Sequence, residues 1–375
     1  MSLKFNFLKY IIFISLFSFL SISFLNILIA ESELFQDGNE LALGKATKSI
    51  YGKSKKGSIH CEGIRDSKNC ISYASDFSNN ILWIGNSQLH GINQYKEGQV
   101  PAPEILFKEL DSQGKNLTTF SMPNINYIEK YFLYKYLDMN LDIKTLLLPL
   151  VMDDFREANL RSSFEELLYL DRFTSSLDEE SLRELKNLKN SSLESDFDGL
   201  DGSFQDKAER FLDSELNKYS QLWEMRPKLR AAFFSILYKA RNKVFNITPS
   251  TERKIIPAIY KRNLLFLEKL FIEAKSSKKN ILVYIVPIRN DVEIPYDLNE
   301  YEEFKKTAFD LTKKYEAVFL NLENLVEGKY WGEKDSTGFS SNNELDFMHF
   351  QFQGHKILSN KLSKDIANWN LKNDI

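Results

Sequence analysis

Short apolar runs closed by glycine, proline or small polar residues alternate along most of this chain with longer stretches whose apolar positions recur every three or four residues. The first pattern is that of strands buried on both faces, the second that of amphipathic helices packed against them. The run 80–85, Asn-Ile-Leu-Trp-Ile-Gly, predicts a central strand that stops at Gly85 and hands over to Asn86 and Ser87. A helix over 102–114 places Ile105, Leu106 and Leu110 on one face, and a strand over 116–120, a helix over 125–137 and a strand over 145–151 follow. Further on come a helix over 254–276, a strand over 281–287, a helix over 301–315 and a strand over 317–321. A loop over 328–346 then leads to a last helix over 354–368. Strands alternating with helices predict an α/β fold, a parallel sheet between two helical layers, over about 76–371.

Three regions break the pattern. Between about 155 and 250 the chain reads as helical and highly charged, with apolar spacings of three and four over 181–189 and 206–223, which predicts a helical insertion or cap. Its acidic loop 196–202 lacks the spacing and closing Glu of an EF-hand calcium loop and reads as a solvated turn. Residues 31–75 are polar and interrupted by Gly38, Gly44, Gly52, Gly57 and Gly63, the pattern of a stalk. Residues 10–30 carry no charge, a length that suffices for a membrane-spanning helix of roughly 20 residues. Lys4 and Lys9 precede them and Glu31, Glu33, Asp37 and Glu40 follow, so the N-terminus is expected in the cytoplasm and the rest of the chain outside. Cleavage after Ala30 is the rival, but the apolar stretch is long for a signal peptide and Leu28 is not small; the pattern favours an uncleaved anchor over 1–30.

Composition changes this picture little. Among 375 residues, 49 basic side chains face 52 acidic ones for a net charge of -3, so nothing points to a nucleic-acid partner. The two cysteines, Cys61 and Cys70, can close a small loop in an oxidising compartment, tying down the stalk. No second Cys/His pair accompanies them, so neither metal nor cofactor is expected.

The candidate chemistry lies in two short blocks. Ser87 follows a central strand, where open α/β sheets place their ligands, and a helix beginning there would aim free N–H groups at a developing anion. Asp346 and His349 are three apart, so in a helical turn or tight loop the carboxylate can lie beside the imidazole. A serine hydroxyl needs a base to remove its proton, and the base needs a third group to fix its tautomer. Ser87, His349 and Asp346 offer those three roles, although a serine in a turn, a packed histidine and a helix-capping aspartate are the plainer readings. His90 and His355 are rival histidines, read as packing residues, and His60 falls in the stalk.

At Gly85-Asn86-Ser87 and Asp346-Phe347-Met348-His349 the sequence resembles the SGNH/GDSL hydrolase superfamily, over roughly 76–371. The resemblance implies a three-layer sandwich with flavodoxin-like strand order and an acyl-enzyme formed on Ser87. The family's middle blocks are not matched: Ser121-Met122-Pro123-Asn124 lacks the Gly, and Asp153-Asp154-Phe155-Arg156 lacks the Gly-x-Asn-Asp pattern. Asn124 remains a candidate oxyanion donor beside the Ser87 N–H. Asp153, Asp154, Arg156, Arg289, Asn290 and Asp291 are expected at the same sheet edge, with Arg156 and Arg289 either binding a substrate carboxylate or phosphate or pairing between loops.

An anchor, an outside location and altered middle blocks resemble the branch that holds the teichoic acid D-alanylation protein and the exopolysaccharide O-acetyltransferases. That branch implies a membrane-bound O-acyltransferase partner and delivery of an acyl group to a hydroxyl of an extracytoplasmic glycan or polymer, in the bacterial periplasm or at the cell surface. The alternative is a non-catalytic glycan-binding or scaffold protein on the same fold.

Overall fold

A computed structural model describes residues 49–92, 95–158, 160–191, 236–334 and 343–373. The expected anchor at 1–30, the loop 196–202 and the helical pattern at 206–223 lie outside them. Among the described residues no helix is long and apolar enough to cross a membrane. The chain divides into two compact units. One, made of Thr47–Asp196, Thr248–Lys334 and Asn342–Ile375, carries the sheet. Of the other, 236–247 are described, and 236–244 are helical.

Strands β1 (His60–Cys61), β2 (Asn80–Gly85), β3 (Leu117–Ser121), β4 (Ile143–Leu150), β5 (Asn280–Ile285) and β6 (Val318–Asn321) form one parallel sheet in the order β1-β3-β2-β4-β5-β6. Leaving aside the two-residue edge strand β1, this is the flavodoxin-like order. β3 follows β2 on one side and β4 returns on the other, so the order reverses between β2 and β4. Such a reversal opens a crevice at the carboxyl ends of the strands, where ligands bind in open α/β sheets.

Successive side chains of a strand point to opposite faces, and the core divides accordingly. Leu82, Ile84, Leu146, Leu148, Val283 and Ile285 bury against α3 (Tyr127–Asp138), α5 (Pro257–Ser276) and α6 (Leu298–Lys314). Ile81, Trp83, Leu147, Leu282 and Tyr284 bury against α2 (Ala102–Asp111) and α7 (Phe352–Asn373). Trp83 Nε1 donates to the Tyr284 hydroxyl at 3.1 Å, giving both polar atoms a partner inside the second core. Helix α3 starts at a capping box: Asn126 accepts from Glu129 N–H, and the Glu129 carboxylate accepts from Asn126 N–H.

The segment read as a stalk is corrected from residue 49 onward. Its glycines hide the short strand β1 and helix α1 (Ser67–Ala74), while Ile59, Cys61, Ile64, Cys70 and Ala74 are buried. The Cys61–Cys70 disulfide therefore ties the sheet's edge strand to α1. Within the expected insertion, a 3-10 helix over Ser162–Tyr169, a short helix over Asp171–Thr174 and α4 (Glu179–Ser191) are described. The expected loop 328–346 also contains structure, since β7 (Trp331–Lys334) pairs antiparallel with β8 (Glu344–Phe350).

Replacing both cysteines by serine should lower stability by about 2–4 kcal/mol, the usual worth of a small covalent loop. Urea unfolding of the two proteins measures the difference.

Candidate active site

The nucleophile turn begins where β2 ends. A Cβ on Gly85 would come within 2.3 Å of the buried Leu89 side chain, so any larger residue there would have to displace that leucine. Asn86, extended at φ -108°, caps a 3-10 turn over Ser87–Leu89, its side-chain oxygen accepting from Gln88 N–H. Gln88 is buried, and its Nε2 donates to Pro287 O beyond β5 at 2.9 Å. Ser87 is left partly exposed at the first position of the turn, where its N–H is not used by the helix's own hydrogen bonding.

Asp346 and His349 reach Ser87 from a strand rather than from the helical turn or tight loop expected. Leu345 pairs with Glu333 and Phe350 with Trp331, so five steps along β8 face two along β7. The surplus bulges, and bulges re-aim side chains that a regular strand would send to opposite faces. Asp346 Oδ1 accepts from the N–H groups of Met348 (2.8 Å) and His349 (3.0 Å), closing the bulge on itself. Asp346 Oδ2 lies 2.9 Å from His349 Nδ1, and His349 Nε2 lies 3.0 Å from Ser87 Oγ. An ionised Asp346 can only accept, so Nδ1 carries the ring proton and Nε2 turns its lone pair to the serine hydroxyl. Burial works to raise the Asp346 carboxyl. The adjacent His349 ring and its hydrogen bond outweigh burial, with help from Lys334, and hold the group well below the usual carboxylate range.

Behind the turn lies a charged pair that the sequence pattern does not announce. Lys130 Nζ bonds Asp154 Oδ2 at 2.7 Å with both side chains almost wholly buried, and Asp154 Oδ1 accepts from Asn86 Nδ2 at 3.1 Å. Burial pushes Asp154 up and Lys130 down, each opposed by the charge of the other. Helix α3 is buried at ten of its twelve positions although four of its residues are charged; a buried lysine requires a partner, and the aromatic residues around Lys130 were the available signal.

A second unanticipated cluster sits beside Gly85, opposite it on β3. Ser121 Oγ lies 2.5 Å from His60 Nε2 and 2.7 Å from His90 Nε2. Gly52 N–H donates to His60 Nδ1 at 3.0 Å, so the His60 proton is on Nε2 and points to Ser121. His90, the rival that could have lined the site, is fully buried, and its N–H donates to Ser87 O. His355 is equally buried, accepts from Ala102 N–H through Nδ1 and packs against Phe350. Burial, with the charge of His349, pushes both His90 and His355 down to about 3.

The expected binding residues divide. Asn124 is exposed at φ +51° in the turn after β3, a left-handed conformation that asparagine tolerates. The two guanidinium groups proposed for a substrate are engaged within the protein. Arg156 bonds Asp153 at 3.0 Å and the Lys254 carbonyl at 2.8 Å, while Arg289 bonds Asp291 at 2.8 Å and the Gly332 carbonyl at 3.0 Å. Asp153 also accepts from Arg253 and from the Tyr296 hydroxyl. Asn290 is exposed and donates to Asn324. Beside the end of β3 a cleft of about 440 Å³ is lined by Gly63, Arg65, Asp66, Met122, Arg161 and Ser163. No group of three or more His, Cys, Asp or Glu among the described residues is arranged to hold a metal ion.

No protein-family model and no curated protein matches the chain. Among solved structures it is similar to a GDSL-like lipase from Bacteroides thetaiotaomicron, with 8% identity and a TM-score of 0.35, covering 81% of this chain and 96% of the other. It is also similar to a "putative acylhydrolase" from Bacteroides fragilis, with 7% identity and a TM-score of 0.32, covering 77% of this chain and 87% of the other. Likeness this distant carries no part of the functional reading, which rests on the side-chain geometry.

The buried histidines make stability depend on pH. Unfolded, His90 and His355 titrate near 6.5, and folded near about 3. Between those values the unfolded chain binds more protons, so their contribution is fully present above about pH 6.5 and is lost as pH falls toward about 3. The urea midpoint should fall across that window, and His90→Gln should flatten the fall.

Proposed function

We propose that this protein is a serine esterase or acyltransferase that forms an acyl-enzyme on Ser87. The observation that carries this is the unbroken sequence of contacts from Asp346 Oδ2 to His349 Nδ1 and from His349 Nε2 to Ser87 Oγ, at 2.9 and 3.0 Å. His349 Nε2 takes the hydroxyl proton as Ser87 Oγ attacks an ester carbonyl, and Asp346 stabilises the imidazolium that results. The Ser87 N–H is the candidate first donor to the oxyanion, and Asn124 the candidate second. Collapse of the tetrahedral intermediate breaks the ester C–O bond, and His349 returns the proton to the departing alkoxide. In the second half the same nitrogen takes a proton from the incoming hydroxyl as its oxygen attacks acyl-Ser87, and returns that proton to Ser87 Oγ when the acyl C–Oγ bond breaks. Water as that hydroxyl gives hydrolysis; an alcohol gives transfer.

Within this class the favoured substrate is an O-acyl group, acetyl or D-alanyl in type, on an extracytoplasmic glycan or polymer, handled with a membrane-bound O-acyltransferase. What supports this is the resemblance of the two blocks, the uncharged stretch 10–30 between basic and acidic flanks, and the Cys61–Cys70 bond, which suits an oxidising compartment. The absence of the middle-block Gly and Asn favours a second reading, a glycan-binding scaffold without turnover.

Incubating the full chain with a fluorophosphonate and with a chromogenic acetyl ester tests the proposal. Ser87→Ala should abolish labelling, and Ser87→Ala and His349→Ala should each cut ester turnover by about 1,000-fold or more. Labelling that persists without Ser87 would sink the acyl-enzyme, and glycan binding without any turnover would select the scaffold. Faster release of the acyl group to a glycan than to water would mark a transferase.

A further inference from the structure

We infer that Lys130 and Asp154 are positioning residues for Ser87, acting through the Asn86 side chain, and that this coupling is why an asparagine stands at 86; the inference rests on Ser87 being the nucleophile. Asn86 is 3% exposed, and both ends of its amide are engaged. Oδ1 accepts from Gln88 N–H at 3.0 Å, and Nδ2 donates to Asp154 Oδ1 at 3.1 Å. The other Asp154 oxygen accepts from Lys130 Nζ at 2.7 Å. That ammonium also lies 3.3 Å from the Pro149 carbonyl and 4.1 Å over the Tyr127 ring. A continuous line of hydrogen bonds thus runs from helix α3, through the turn after β4, to the turn that bears Ser87. It crosses the sheet where β2 and β4 cease to pair, since their last paired residues are Trp83 and Leu147.

The chemistry at 86 is narrow. An amide accepts at one end and donates at the other, which is what Gln88 N–H and Asp154 together require. An aspartate would serve Gln88 N–H equally well but would set a second buried carboxylate against Asp154, a like-charge contact that raises the cost of ionising either. An apolar residue would leave Asp154 Oδ1 and the Gln88 N–H without their partner. With the amide held at both ends, the Gln88 bond fixes the backbone on either side of Ser87, and Oγ is held within reach of His349 instead of sampling other rotamers. Orientation of this kind acts on the rate of the chemical step and not on substrate affinity.

An exchange of side chains across the bond tests this. The saturable rate of fluorophosphonate labelling at Ser87 is measured on the full chain, with urea stability followed on the same variants. Asn86→Asp and Asp154→Asn should each lower the maximal labelling rate about tenfold or more while leaving the half-saturating probe concentration unchanged. The double variant N86D/D154N should return to within about threefold of the native rate, because amide and carboxylate have changed places and Lys130 still faces an acceptor oxygen. Urea midpoints should show the same recovery. Losses that simply add in the double variant, or single variants labelled at the native rate, would overturn the positioning role and leave Ser87 as nucleophile. A native chain that fails to label at Ser87 would overturn the nucleophile reading and the positioning role together.

Discussion

The hydrogen bond between Ser87 and His349 joins residues 262 apart in the chain, and the arrangement of the sheet serves to make that meeting possible. One partner is presented by a strand end at the point where strand order reverses. The other arrives on a bulge of a small antiparallel pair outside the main sheet. Neither position is adjustable by much. The serine turn is held by Asn86 and Gln88 to the loops after β4 and β5, and the histidine by two bonds to Asp346, which also accepts from the neighbouring Met348 N–H. A contact at 3.0 Å between two such short side chains survives only if both supports are stiff.

Stiffness here comes from polar groups placed inside the protein and hydrogen-bonded to one another there, although Gln88 Oε1 and His90 Nδ1 have no partner among the described residues. Lys130, Asp154, Asn86, Gln88, Ser121, His60 and His90 are all buried around a single strand end. Each would be costly alone, and their hydrogen bonds offset that cost only in one arrangement. An apolar core at the same place would tolerate sliding by a fraction of an ångström. A hydrogen-bonded one tolerates little, because displacement leaves a buried donor or acceptor without its partner.

The sheet was legible from sequence because its central strands are buried on both faces, so the apolar runs at 80–85, 145–151 and 281–287 fit a short buried strand and little else, with Gly85 and Pro287 closing two of them. Ser87, Asp346 and His349 were legible as types at a spacing, but the bulge that unites the last two was not. A strand carrying Glu344, Asp346 and His349 does not alternate, and its partner Trp331–Lys334 is too short to announce itself. Edge strand β1 was missed for a similar reason: two residues among glycines leave no period to detect. Arg156 and Arg289 pair with Asp153 and Asp291 within their own loops, three and two residues away, so local spacing already offered those partners; Lys130 meets Asp154 across 24 residues, from a helix to the turn after β4, which spacing along the sequence does not encode.

The guanidinium pairs also bear on how a substrate would arrive. Arg156 and Arg253 share the one carboxylate of Asp153, and Arg289 faces Asp291, so these five side chains leave a single net positive charge. A rim of this kind projects little field into solution, and its attraction for an anion fades within a Debye length of about 8 Å at physiological salt. These paired side chains would therefore add little charge steering to the encounter, and less as ionic strength rises.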